Sequence, residues 1–124
     1  MTDKELLKIA TEQLEFSYSP YSNFKVGAAL LTKTGKVYTG CNIENASFSP
    51  TVCAERTAFF KAISEGEREF CSIAIVGGNK ECLPCGVCRQ VMAEFCNPDF
   101  LIVTTSGRYT LGELMPKSFI LDRE

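Results

Sequence analysis

Apolar residues near the start of the chain recur with helical spacing: Leu6, Ala10 and Leu14, joined by Leu7, share one face. Thr2 and Glu5 have the spacing of a capping box, so the pattern predicts a first helix running to about Glu15. Residues 17–23, with Tyr18, Pro20 and Tyr21, break that period and read as a loop. A continuous apolar run at 26–31 is expected as a buried strand, and Lys33-Thr34-Gly35-Lys36 turns it back into 37–41. The two should pair as an antiparallel hairpin. After a polar loop at 42–51 the helical period returns from Cys53, with Ala54, Ala58, Phe59, Ala62 and Ile63 apolar and Gly66 placed to stop the helix. Residues 73–76 read as a short strand. A second cysteine-led helix is expected from Cys85 to about Phe95, closed by Asn97 and Pro98, with another strand at 100–104. Beyond it Leu111, Leu114 and Met115 lie on a short helical stretch, and 116–124 fits no element.

A hairpin followed by alternating helices and strands calls for a mixed sheet covered on both faces, a three-layer α/β/α sandwich. At 124 residues, 45% of them hydrophobic, the chain is expected to form one domain spanning 1–124. A net charge of −2 without any run of lysines or arginines excludes the electrostatic footprint of a nucleic-acid binder. The opening residues are polar and no apolar run approaches membrane-spanning length, so a cytoplasmic protein with no membrane partner is expected. Seven cysteines cannot all pair within one chain, which points to thiols and metal binding rather than a disulfide framework. There is no histidine, which removes the usual zinc ligand and the usual general base together.

Pro84-Cys85-Gly86-Val87-Cys88 places two cysteines three apart at a helix start, on one face of its first turn. Cys53 opens the other helix in the same way. Unpaired backbone N–H groups and the helix dipole favour thiolate at such positions. Three thiolates with no fourth protein ligand in view make an open, catalytic zinc site rather than a closed, structural one. Glu55, two residues after Cys53, is placed to move protons beside the metal without ligating it. Because three thiolates donate more charge than neutral imidazoles, something must withdraw it, and Arg56 donating to a thiolate sulfur is the candidate.

Cys53-Ala54-Glu55 followed by Pro84-Cys85-Gly86-Val87-Cys88-Arg89-Gln90 resembles the small, homotetrameric, zinc-dependent cytidine deaminases. The resemblance covers nearly the whole chain. It includes Tyr21-Ser22-Asn23-Phe24-Lys25-Val26-Gly27-Ala28-Ala29-Leu30 and Gly40-Cys41-Asn42-Ile43-Glu44-Asn45-Ala46, which are similar to the family's nucleoside-binding segments. It implies a five-stranded mixed sheet, one zinc per subunit held by Cys53, Cys85 and Cys88, and hydrolytic deamination of cytidine and deoxycytidine at C4 as a step of pyrimidine salvage. Glu55 would relay the proton of the attacking water to N3 and then to the leaving ammonia. The main chain at Ala54 would contact the base, Phe24 would wall the pocket, and Asn42 and Glu44 would bind the sugar 3'-hydroxyl. A carboxylate at the sugar also disfavours phosphate there. The segment Pro116-Lys117-Ser118-Phe119 resembles the family's C-terminal segment, whose phenylalanine enters a neighbouring subunit's site. The implied partners are a small nucleoside and further copies of the chain.

Departures from the family pattern fall at segments near 77–84 and 105–109, which look short, and at Phe48, where tyrosine is common. Each singled-out residue also has a plainer reading. Cysteines are often small buried hydrophobes, and that is the expected state of Cys41, Cys71, Cys82 and Cys96. Of these, Cys82 lies near enough to the pair at 85 and 88 to compete for zinc. Glu55 could be a solvated first-turn acid, Arg56 a surface cation, Phe24 core, Asn42 a turn former and Glu44 a surface charge. Another aminopyrimidine, such as a nucleoside antibiotic or a free base, is the alternative substrate, with RNA editing and a zinc module without turnover further off.

Overall fold

A computed structural model describes residues 1–78 and 80–121. Residue 79, in the short loop noted above, and residues 122–124, in the unassigned tail, lie outside that description. Helix α1 (Asp3–Glu12) starts at the expected capping box, with the Glu5 N–H donating to Thr2 Oγ1 at 3.1 Å and the Thr2 N–H to Glu5 Oε1 at 2.8 Å. The helix is shorter than its apolar period, tightening into a 3₁₀ turn at Gln13–Phe16.

Strands β1 (Val26–Thr32) and β2 (Val37–Cys41) form the expected hairpin. Helix α2 (Ala54–Ser64) leads to β3 (Phe70–Gly77), and α3 (Gly86–Phe95) connects it to β4 (Leu101–Val103). A fifth strand, β5 (Arg108–Thr110), precedes a one-turn helix, α4 (Leu111–Leu114). The sheet order is β2-β1-β3-β4-β5, with β3 and β4 parallel and every other neighbouring pair antiparallel.

The pleat divides the central strands between two cores. Leu6 and Ala10 of α1 pack on Ala29, Ala74, Val76 and Val103, while Ala28, Leu30, Ile73, Ile75 and Ile102 face α2 and α3. Burial on both faces explains why β1 and β3 read as apolar runs rather than alternating ones. These are the three layers and the mixed five-stranded sheet that the pattern and the resemblance imply.

The positions of three features depart from the sequence reading. The pattern marks no position for the fifth strand, because Arg108-Tyr109-Thr110 is short, polar and at the sheet edge, where one partner strand and modest burial suffice. Cys71, expected to be buried, is exposed. The register of β3 against β1 shifts at Leu31/Thr32, so that Ser72 and Phe70 have partners on β1 and Cys71 between them bulges outward. Cys82 and Cys96 are only half-buried, unlike Cys41, because both border cavities.

Candidate active site

The site lies at the end of the sheet where β1 begins and β2 and β3 finish, with Val26 opposite Gly77 and Gly27 opposite Cys41. Helices α2 and α3 pack side by side, and their N-termini meet there. Cys53 and Cys85 are the N-cap residues of these helices, yet neither side chain caps its helix. Instead Cys53 Sγ lies 3.8 Å from Cys85 Sγ, and Cys85 Sγ lies 3.6 Å from Cys88 Sγ. All three sulfurs fall within 4.8 Å of one another, the only such group of metal-ligating side chains among the described residues.

That spacing fits zinc. Sulfurs held ~2.3 Å from one tetrahedral ion lie about 3.8 Å apart. Arg56 Nη2 donates to Cys53 Sγ at 3.3 Å from within the same first helical turn. Its Nε is buried without a hydrogen-bond partner. A guanidinium would be unwelcome at the positive end of a helix, so thiolate charge beside it is the compensation. The nearby Cys88 thiol, followed by the hydrogen bond from Arg56, outweighs burial and brings the Cys53 thiol down to about 5. Cys88, beside Cys53 and buried, is pushed up. Of these two, Cys53 is the one that carries the thiolate. Burial lowers the Arg56 pKa, but its bonds and charge interactions with Cys53 and Cys88 win and raise it.

Glu55 is 3% exposed at the second position of α2 and lines a cavity of about 300 Å³ beside the cysteines. Burial first, helped by the charge at Cys53, raises its carboxyl to about 7. This is a buried acid facing a cavity, not a solvated first-turn charge. Phe24, Asn42, Glu44 and Ala54 line the same cavity, together with Val52, Cys82 and Leu83. A larger cavity of about 430 Å³, bordered by Lys33, Arg68, Cys71 and Asp99, opens where β1 ends and contains none of these residues.

Asn42 and Glu44 have nearly all their hydrogen-bonding capacity committed. Asn42 Oδ1 accepts from Ser17 Oγ at 2.5 Å and from the Val26 N–H at 2.9 Å, and Nδ2 donates to the Phe24 carbonyl at 2.8 Å. Glu44 Oε1 accepts from the Tyr21 and Ser22 N–H groups at 2.9 and 3.1 Å, and Oε2 accepts from Ser22 Oγ. One amide hydrogen on Asn42 and one lone pair on Glu44 are left over. Asn42 is thus more than a turn former and Glu44 more than a surface charge. Ser17 and Ser22 were not singled out from the sequence. Ser22 stands within the family-like segment 21–30, but its bond to Glu44, and that of Ser17 to Asn42, join residues far apart in the sequence.

Phe119 lies apart from this group. The residue is 66% exposed and does not border the 300 Å³ cavity, while its carbonyl accepts from Gln90 Nε2 at 3.1 Å. Cys82 also borders the cavity, but it stands outside the three-sulfur cluster, and burial pushes its thiol up to about 11.

Residues 1–104 match the family described as the cytidine and deoxycytidylate deaminase zinc-binding region. The chain belongs to this family. It is 49% identical to a cytidine deaminase from Halalkalibacterium halodurans, over 96% of this chain and 95% of that protein. A cytidine deaminase from Sporosarcina psychrophila is 46% identical, over 96% and 92%. The crystal structure of a cytidine deaminase from Burkholderia pseudomallei superposes with a TM-score of 0.89 at 46% identity, covering 96% of this chain and all of that one. The family is one of enzymes acting on pyrimidine nucleosides with a zinc-binding region. No described helix is long and apolar enough to cross a membrane.

Proposed function

We propose that this deaminase hydrolyses cytidine and deoxycytidine to uridine and deoxyuridine, releasing ammonia, within a single domain that holds one zinc ion per chain on Cys53, Cys85 and Cys88. The observation that carries this reading is the placement of a buried acid, Glu55, on the wall of a nucleoside-sized cavity beside three sulfurs spaced for one ion. When bound, zinc supplies Lewis acidity that makes water nucleophilic near neutral pH.

The chain's own residues do the rest. Glu55, as carboxylate, takes a proton from the attacking water and passes it to the pyrimidine N3. It then takes the proton of the hydroxyl newly bonded to C4 and delivers it to the C4 amine, whose bond to C4 breaks to release ammonia as the C4 carbonyl forms. A carboxyl poised near neutrality by burial can serve in both directions. Arg56, bonded to Cys53, draws thiolate charge away from the metal and preserves its acidity. Phe24 offers its ring to the pyrimidine, and the main chain of Ala54, at the first residue of α2, meets the base edge.

The leftover valences of Asn42 and Glu44 favour a sugar-bearing substrate over a free base. One donor and one acceptor are what a single hydroxyl requires, since a hydroxyl accepts one hydrogen bond and donates another. This supports the 3'-hydroxyl of a nucleoside, and cytidine is the substrate named for relatives at 46 and 49% identity. The reaction fits pyrimidine salvage in the cytoplasm. Loss of cytidine absorbance with stoichiometric ammonia release, tested beside aminopyrimidine antibiotics and free cytosine, decides the reading. Turnover of an antibiotic or of cytosine in preference to cytidine would overturn it.

A further inference from the structure

Glu44 reaches the cavity from the 42–52 loop, which hydrogen bonds tie to the segment at Tyr18 and close upon itself. The Tyr18 N–H donates to the Asn42 carbonyl at 3.0 Å, the Glu44 N–H to the Tyr18 carbonyl at 2.8 Å, and Ile43 pairs with Val52 in both directions at 3.0 Å. These bonds fix the Glu44 backbone but not its carboxylate. The Tyr21 and Ser22 N–H groups both bind Oε1, and two bonds to one oxygen leave the group able to pivot about that atom. The hydroxyl of Ser22 binds the other oxygen and stops the pivot. The same Oγ accepts the Phe24 N–H at 3.1 Å across Asn23, which sits in the left-handed region at φ 58°. One hydroxyl therefore joins the sugar-side carboxylate to the backbone of the aromatic wall. It is also the leading reason that the Glu44 carboxyl lies below its ordinary pKa, which keeps it an acceptor.

We propose that Ser22 is a positioning residue for sugar recognition: its hydroxyl locks the Glu44 carboxylate in the orientation that leaves one lone pair for the nucleoside 3'-hydroxyl. This deepens the reading above and rests on its assignment of Asn42 and Glu44 to the sugar. Without the lock, the carboxylate must be ordered at each binding event, and substrate affinity bears that cost. Ser22 touches no reacting atom, so its effect belongs to discrimination between sugars rather than to the chemistry at C4.

The test measures kcat/KM for cytidine and for 3'-deoxycytidine with zinc-loaded protein. The wild type should favour cytidine. Ser22→Ala should shrink that preference by about two- to tenfold, through KM for cytidine rather than kcat, while Ser22→Thr retains it. In a Glu44→Gln background, adding Ser22→Ala should leave the preference where Glu44→Gln alone puts it. Loss of the Phe24 N–H bond would weaken both substrates alike, so an equal fall on both, or an unmoved preference in Ser22→Ala, overturns the role of Ser22. If Ser22→Ala does not fold, Ser22→Cys is judged by the same criteria, having the same shape and a weaker donor. A wild type that does not distinguish the two substrates removes the sugar assignment itself, and this proposal with it.

Discussion

Two cysteines of the cluster are defined by what their side chains do not do. Cys53 and Cys85 occupy N-cap positions, where a side-chain acceptor normally takes a backbone N–H, yet their sulfurs turn toward each other and Cys88. Three thiols packed this closely are favourable together when a cation holds them as thiolates. Apparent binding energies for structural zinc sites run ~10 to 16 kcal/mol, comparable with the ~5 to 15 kcal/mol stability of a whole domain. Cys85→Ala should therefore lose its zinc and melt well below the wild type. Elemental analysis with a thermal melt checks this, and full zinc content in the variant would remove Cys85 from the ligand set. Glu55→Gln isolates the proton relay instead: zinc and fold should persist while kcat falls by ~10⁴-fold or more, the upper end for acid–base groups, because one residue serves several transfers. A kcat within tenfold of wild type would mean that another group or bulk water moves the protons. At this scale the candidate site was legible where chemistry restricts the choice of residue. With no histidine in the chain, cysteines at two helix starts had few competing explanations. Ser17 and Ser22 stayed invisible because a loop serine can bond to almost any neighbour, and only the folded path brings these two to Asn42 and Glu44.

The elements bring the ligands together through close backbone approach. Helix α2 lies so near β2 that a Cβ on Gly40 would stand 2.3 Å from the Ala54 carbonyl oxygen and 2.6 Å from the Ala58 nitrogen. Both are backbone atoms, so the helix itself would have to retreat. That helix carries Ala54, Glu55 and Arg56 and begins at Cys53, which makes the contact a positional stop for the metal centre. Gly40→Ala should cost ~1 to 3 kcal/mol or more by overpacking, and a displacement on the order of 1 Å at the reacting groups can cost ~100-fold in rate. Gly107→Ala supplies the control, since its Cβ would meet only the Tyr109 ring system at 3.7 Å and beyond, and it should stay within ~0.5 kcal/mol of wild type. Denaturant melts and kcat/KM on the pair test the idea, and equal effects from both substitutions would contradict it. The same closeness accounts for the limits of reading elements from pattern. Apolar runs and cysteine-led helices were plain in the sequence, as was the stop at Gly66, whose φ is 98°. The edge strand β5 and the bulge at Cys71 depend on pairing with distant segments, which local spacing does not encode.

For the whole molecule, the distribution of exposed apolar side chains argues for assembly. Phe16, Tyr18, Tyr21, Phe48 and Val87 are all more than half exposed, and Phe119, Ile120 and Leu121 are 66, 69 and 68% exposed on one continuous segment. Contiguous apolar surface of this kind marks contact with another molecule. We propose that the contact is with further copies of the chain in a homotetramer, and that Phe119 completes a neighbour's site. The segment is anchored at its backbone through Gln90, and Phe119, exposed, does not border the chain's own cavity. Two crippled chains test this by complementation. Glu55→Gln lacks the proton relay but keeps the ring, whereas Phe119→Ala keeps the chemistry but offers its neighbour no ring. If the ring acts in trans, some Phe119→Ala sites in co-expressed oligomers receive the phenylalanine of a Glu55→Gln subunit and regain activity. The mixture should then exceed the weighted sum of the separate variants, with mixing verified by differently tagged chains. If the ring served its own chain, each Phe119→Ala site would stay defective whatever its neighbour, so activity equal to that sum in oligomers shown to be mixed would overturn the arrangement.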